Sequence, residues 1–570
     1  FEFWIGARSY DPKVVERDLE HIVDMGFNSV SIFIYRESME AQNLLDLLRR
    51  CEVVDLKVNL SLRPGTPIEF RWDEMRELIK YYRLWEWDTV FALDLAWEPM
   101  FRPPDRSQWD QQWAEWLVER YGSIENAESD WGYGVNRDEH GNIVNYDPKH
   151  MGKEGRWSGL IAAYRRFLDT LLYEKYSEAR RLVRILDPHH LVSFRMTISG
   201  DPTFKPPEII PYDFAYLAGA VDILEPEGYG RIGDWERVKP GWFTYEYGRW
   251  ANPNLPVMWA EAGVHAWDMS RMESSPEKLA FQATFYQLFY RMLISSGADG
   301  IFFWWYPGGF RVGENSDYGI INPDGSDRPV TQVIRKYADR LINGPAARAI
   351  DTWLLFDRDT HTDGLAGVYE ELEEAFWDAI DSGKAPGLKT AGTGTTSGTC
   401  PLVAVGNTVC KGTNPPKHLD GFFDVVAVRN AEGAWQLVER GARVAVSTIE
   451  TPQARVTLTN LGEARWITQG EAKDKVLRTE LGKAMGEIPQ SAREDYGVVY
   501  IVAHGAERAA TPIPEPLGRF ESLDLVLDLA PGPLDATQEI VLTFDVAGRT
   551  PFGPKYPLTL VPEASSAATE

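Results

Sequence analysis

Along the first 345 residues, short apolar runs alternate with amphipathic stretches in a regular order. The runs at 3–7, 29–35, 57–62, 89–99, 191–196, 221–224, 257–260 and 300–305 have the low charge and β-former content of strands buried on both faces. Between them 12–25, 44–54, 73–86, 160–186, part of 234–250, 276–296 and 331–341 carry a helical repeat. The first helix opens on Asp11 as N-cap with Pro12 in its first turn and closes at Gly26. Eight such alternations predict an α/β fold, a (β/α)8 TIM barrel over 1–345, with its site at the C-terminal ends of the strands.

The rhythm breaks at 100–157, where Trp109, Trp113, Trp116, Trp131 and Trp157 are scattered among Gly, Asp and Asn. A loop this long is usually functional, and this one is expected to wall the barrel mouth. The alternative is a segment packed on itself, with its tryptophans as a satellite core. Residues 346–420 hold one helix, 365–382, and a Gly-, Thr- and Pro-rich linker. From 421 to 563, segments such as FDVVAVR, ARVTLTNL and EIVLTFDV alternate with turn residues and predict an all-β sandwich accessory domain. The last residues, 564–570, read as a disordered tail.

Two of the apolar runs end in a carboxylate. TVFALDLAWEP delivers Glu98, followed by proline, and PVMWAEAGVHAW delivers Glu261. Ionised carboxylates are costly to bury unless paired. If both strands belong to one parallel barrel, the fourth and the seventh, both acids point into the same mouth. One acid alone reads as easily as a structural ion pair; two at matching ends suggest chemistry.

Composition narrows the classes. A net charge of −26 argues against nucleic acid, whose phosphates need a basic face. No uninterrupted apolar run approaches the roughly 18 residues of a membrane span. The 21 Trp, 24 Tyr and 25 Phe offer flat apolar faces that suit sugar rings, although most belong to cores. Of three cysteines, Cys400 and Cys410 bracket a short loop and could form a disulfide, which would place the chain outside the cytosol. Cys51 reads as a buried apolar filler. The chain starts at Phe1 without a Met or a signal peptide, as a processed or trimmed form would. The acidic turn DRDTHTDG, with Asp357, Asp359 and Asp363, lacks the EF-hand spacing. With no phosphate-cradling glycine loop, zinc spacing or serine nucleophile elbow, the economical reading is hydrolysis without a cofactor.

A Glu-Pro at the end of strand four, a Glu at the end of strand seven, tryptophans closing strand eight and a Tyr-Gly and an Asp-Gly turn after it resemble the clan A retaining glycoside hydrolases, over about residues 1–345. The resemblance implies Glu98 as general acid/base, Glu261 as nucleophile, Tyr229 as hydrogen-bond partner of the nucleophile and Trp304 or Trp305 as the platform beneath the sugar. Most of the clan has asparagine before the acid/base, contacting the sugar 2-hydroxyl, where this chain has Trp97. That contact is then made differently, or position 2 is unusual, as in mannosides or 2-substituted sugars.

Two carboxyls in one mouth should push one pKa upward, and Glu98 is the candidate. Arg8, Arg63 and Arg195 at strand ends could hold Glu261 ionised. Glu225 and Glu227 could bind substrate hydroxyls, His265 could touch substrate and Glu314 could line the cleft. The long segments after strands four and eight tilt the expectation to exo action on a carbohydrate, in the manner of a β-galactosidase, β-mannosidase or β-glucosidase. An endo-acting β-glycanase, a barrel that binds glycans without cleaving them, and a transglycosylase stand as alternatives. The sequence leaves an oligomer open.

Overall fold

The computed structural model describes residues 10–34, 43–62, 72–99, 106–146, 158–196, 200–204, 213–344, 347–361, 363–390, 419–474, 494–548 and 550–563. The chain divides into two compact units. One comprises Phe1–Arg102, Leu168–Leu354 and Asp363–Leu388; the other comprises Pro103–Phe167, Leu355–Thr362 and Lys389–Glu570.

The first unit is the barrel. Its strands are β1 (Ser29–Phe33), β2 (Lys57–Ser61), β3 (Val90–Trp97), β4 (Leu191–Arg195), β5 (Met258–Ala262) and β6 (Gly300–Phe303). β1 through β4 pair in chain order and all in parallel. The ring continues through single parallel bridges, Arg195 to Glu225, Leu224 to Val257 and Glu227 to Glu261, and β5 then pairs in parallel with β6. The strand expected at 221–224 is therefore reduced to bridges, and its pairing reaches on to Glu227. Pro226 has no N–H to give to a ladder, although its carbonyl still accepts from Ala260 N at 2.9 Å. The run at 3–7 and Arg8 lie outside the described residues.

Helices alternate with these strands as the apolar periodicity requires: Pro12–Asp24, Asn43–Val53, Trp72–Tyr82, Ser158–Leu186, Gly241–Ala251, Pro276–Ser296 and Pro329–Ile342. Asp11 caps the first, its carboxylate accepting from Lys13 N at 2.9 Å with proline in the first turn. The inward stripe of that helix, Val15, Leu19 and Ile22, is buried, at about 1.5–3 kcal/mol for each such side chain. Cys51 is likewise buried and unpaired, and burial pushes its thiol pKa up to about 12. That is the behaviour of an apolar filler and not of a reactive thiol.

In the second unit the stretch read as irregular holds two helices, Asp110–Tyr121 and Ile124–Trp131. Trp113 stacks on Trp116 at 5.7 Å and on Trp131 at 6.3 Å, edge-on to Tyr164 at 5.2 Å. Trp109, Trp113, Trp116 and Trp131 are all buried, so they form the satellite core and not a sugar-facing wall. Trp109, Trp113 and Trp116 recur at helical spacing, which turns them to one face, and Trp131 packs on them from the second helix. Trp157 lies outside the described residues, as do Cys400 and Cys410.

The sandwich consists of two sheets. One orders Trp435–Leu437, Gly421–Arg429, Gln453–Asn460 and Ser522–Asp528; the other orders Arg443–Ser447, Thr550–Glu563, Gln538–Val546, Val499–His504 and Arg508–Pro512. Their inward residues, Val456, Leu458, Trp466, Ile501, Leu542 and Phe544 among them, make one apolar core. Arg120 of the first helix in this unit reaches Asp420 at 2.7 Å, a buried pair. Among the described residues no helix is long and apolar enough to cross a membrane.

Candidate active site

Strand register gathers the acids. Trp97 pairs with Arg195 on one side, Arg195 with Glu225 on the other, and Glu227 with Glu261 beyond that. Glu98 follows Trp97 directly, its N–H donating to the Arg195 carbonyl at 3.2 Å. Its backbone is left-handed, φ 44°, which an L residue adopts at a cost of about 1–3 kcal/mol and which concentrates at functional sites.

Glu261 is 5% exposed and both of its oxygens are engaged. Arg195 Nη1 donates to Oε1 at 2.6 Å, and the Tyr229 hydroxyl donates to Oε2 at 2.8 Å. The same guanidinium donates from Nε to Asp94 Oδ2 at 2.8 Å and from Nη2 to Ser31, and it lies over the Phe33 ring at 4.5 Å. Two carboxylates sharing this cation raise the Arg195 pKa, against the opposing effect of burial. Burial first, then the facing Glu261 carboxylate, push the Tyr229 hydroxyl well above its ordinary range, so it stays a donor.

Two further carboxyls lie beneath. Glu225 accepts from Asn59 Nδ2 at 2.9 Å, and burial followed by the Asp94 charge raises its pKa to about 8. Glu227 has no exposed surface and its carboxyl oxygens are buried without an ordinary hydrogen bond. Burial, then the like charges of Glu261 and Glu98 and a carboxyl interaction with Glu98, drive it well above the usual carboxylate range. Glu227 is more deeply buried than Glu98, which is only partly covered. With no exposed surface, Glu227 is not placed to bind substrate hydroxyls directly, contrary to the expectation from sequence.

The aromatic rim divides. Trp305 is buried, with the Arg311 guanidinium 3.7 Å over its ring, whereas Trp304 is only partly buried and packs edge-on against Phe33 at 5.7 Å. Of the two expected platforms, Trp304 alone keeps an uncovered share of surface. Glu314 holds Arg311 in that position through a 2.7 Å ion pair. His265 packs edge-on against Tyr318 at 5.9 Å, which in turn meets Tyr229 at 6.3 Å. Trp97, 40% exposed, presents an indole beside Glu98. Arg63 lies outside the described residues.

Several site residues escaped the sequence reading. Asp94 was detectable as a lone charge inside an apolar run, which must face a partner in the barrel interior. Ser31, Asn59 and Arg311 carried no such signal, and Tyr318 stood in the Tyr-Gly turn without an assigned role.

No family model and no curated protein matches the sequence. Solved structures do match. The β-galactosidase of the Antarctic haloarchaeon Halorubrum lacusprofundi aligns over 99% of this chain and 98% of its own, at 12% identity and a TM-score of 0.52. A cold-adapted β-galactosidase from Rahnella sp. R3 aligns over 93% and 97%, at 14% identity and a TM-score of 0.52. A GH5_18 structure from Streptomyces cattleya covers 68% of this chain and 90% of its own, at 14% identity and a TM-score of 0.44. At these identities the two full-length matches establish a shared fold, a barrel followed by β domains.

Proposed function

We propose that this chain is a retaining glycoside hydrolase in which Glu261 is the nucleophile and Glu98 the general acid/base. The observation that carries the reading is the setting of Glu261, whose two oxygens are aimed by Arg195 and Tyr229 while a second acid ends the strand three places away in the ring. Donors that fix a carboxylate orient it for attack. In the first step Glu261 attacks the anomeric carbon while Glu98 gives its proton to the departing glycosidic oxygen. A covalent glycosyl-enzyme forms, and Glu98, now ionised, takes a proton from the water that hydrolyses it. As the charge on Glu261 is consumed, Arg195 keeps Asp94 as its second partner and is not left unpaired.

The partly buried Trp304 supports a sugar platform, and Trp97 presents the sugar with an apolar face. The two full-length fold matches are β-galactosidases, so aryl β-galactoside is the first substrate to try, beside mannoside, glucoside, xyloside and N-acetylglucosaminide. The wild type and Glu261→Ala are assayed together, with azide added to the variant. Activity on one glycoside, lost in Glu261→Ala and partly restored as a glycosyl azide of inverted configuration, supports the assignment and names the sugar. Restoration with retained configuration would assign the nucleophile elsewhere.

A further inference from the structure

The acids of this site are not equally served. Arg195 and Tyr229 each give a hydrogen bond to Glu261, Arg195 gives another to Asp94, and Asn59 gives one to Glu225. Among the described residues Glu227 has no such donor, although it has no exposed surface. An ionised carboxylate left in that state would cost far more than a neutral one. The physical escape is to hold a proton, and a neutral carboxyl then has one O–H to give.

Its neighbours narrow the choice of acceptor. Glu227 is register partner to Glu261, whose oxygens already hold Arg195 and Tyr229. The groups that face it are Glu261 on β5, Arg195 on β4, Tyr229 two residues further along its own segment, and Glu98 at the end of β3, whose side chain interacts with it directly.

We propose that Glu227 is a protonated carboxylic acid whose O–H is donated to Glu98, making it the positioning residue that sets when the acid/base gives up its proton. Its role in turnover rests on the glycosidase reading above; its protonation does not. Burial and the neighbouring charges, which favour the neutral form, support the same state. A donor aimed at Glu98 stabilises its carboxylate form, the form left after the first half-reaction. Glu227 therefore opposes the upward push that Glu261 exerts on the same group.

Three proteins test this: the wild type, Glu227→Gln and Glu227→Leu, with the alkaline limb of kcat/KM followed against pH. Glutamine keeps a donor, and its limb is expected to stay with the wild type whatever happens to the rate. Leucine removes the donor, and its limb is expected to move up by about 1 pH unit. Limbs that move down in both variants would mean that Glu227 is ionised; limbs in one place in all three would mean a packing role; either result overturns the proposal. A second readout needs no turnover and no leucine variant. Infrared difference spectra of wild type against Glu227→Gln at neutral pH should contain the C=O stretch of a protonated carboxyl. Its absence overturns the proposal even if every glycoside is cleaved, and its presence supports it even if none is.

Discussion

Arg195 joins Glu261 to Asp94: its Nη1 lies 2.6 Å from Glu261 Oε1 and its Nε 2.8 Å from Asp94 Oδ2, all three side chains buried. One guanidinium thus spans three strands of the barrel, β3, β4 and β5, and orients the acid assigned as nucleophile. A lysine is a single point charge and cannot repeat this fork. Arg195→Lys is expected to lose at least one charge-assisted hydrogen bond, worth about 1.5–3 kcal/mol, or about 10- to 150-fold in kcat/KM. Steady-state kinetics on the aryl glycoside identified by the substrate screen check this. A wild-type rate would detach Arg195 from the chemistry.

Tyr229 tests the other side of the same carboxylate. Tyr229→Phe keeps the ring beside Tyr318 and deletes only the hydroxyl that reaches Glu261 Oε2. The loss should appear mainly in kcat, about 10- to 100-fold, because that hydrogen bond aims the attacking oxygen and does not hold the sugar. A change confined to KM would show that Tyr229 serves binding instead.

Glu225 ties stability to pH. Its pKa is raised on folding from 4.5 to about 8, so at intermediate pH the folded state binds the proton more tightly than the unfolded chain. Stability from this group is complete below the unfolded pKa and is lost as pH rises through about 8. Glu246, buried and raised to about 7, acts in the same direction. Urea unfolding should therefore show a fall on the order of a few kcal/mol between pH 5 and pH 8. Glu225→Gln, which keeps an acceptor for Asn59, should flatten that slope. An unchanged slope in the variant would rule out Glu225 as its source.

Gly263, two residues past Glu261, lies against the Trp304 backbone. A Cβ there would stand 2.1 Å from the Trp304 carbonyl oxygen and 3.3 Å from the Tyr318 ring. The obstacle is backbone, so it cannot swing aside as a side chain tip would. Gly263→Ala is expected to cost about 1–3 kcal/mol in thermal or urea unfolding and to lower activity by displacing Trp304. A fully active, fully stable alanine variant would show that Trp304 can shift without consequence.

The barrel and sandwich were legible in the sequence because their signal is local. A strand buried on both faces must be apolar along its length, and a helix packed on it must repeat every three to four residues, so element type and order follow from spacing alone. The helix at Pro276–Ser296 matches its sequence pattern from end to end. Glu98 and Glu261 stood out for a related reason, as charges that end apolar runs.

What the spacing left open was decided by contacts between residues far apart in the chain. The segment carrying Trp113, Trp116 and Trp131 was expected to wall the barrel mouth, with a packed satellite core as the alternative, and burial places these three indoles in a core. Trp304 and Trp305 are neighbours of one type, separated only by packing: the Arg311 guanidinium lies 3.7 Å over the Trp305 ring and 5.3 Å over that of Trp304, and only Trp305 is buried. Glu225 and Glu227 stand two residues apart after one apolar run, and the upward push on both comes first from their depth in the barrel. The sequence by itself determined most barrel and sandwich elements and the two apolar runs that end in Glu98 and Glu261. Only the tertiary structure, by bringing acids from three strands and segments around Arg195, decided which oxygens receive a donor and which lie buried without one among the described residues.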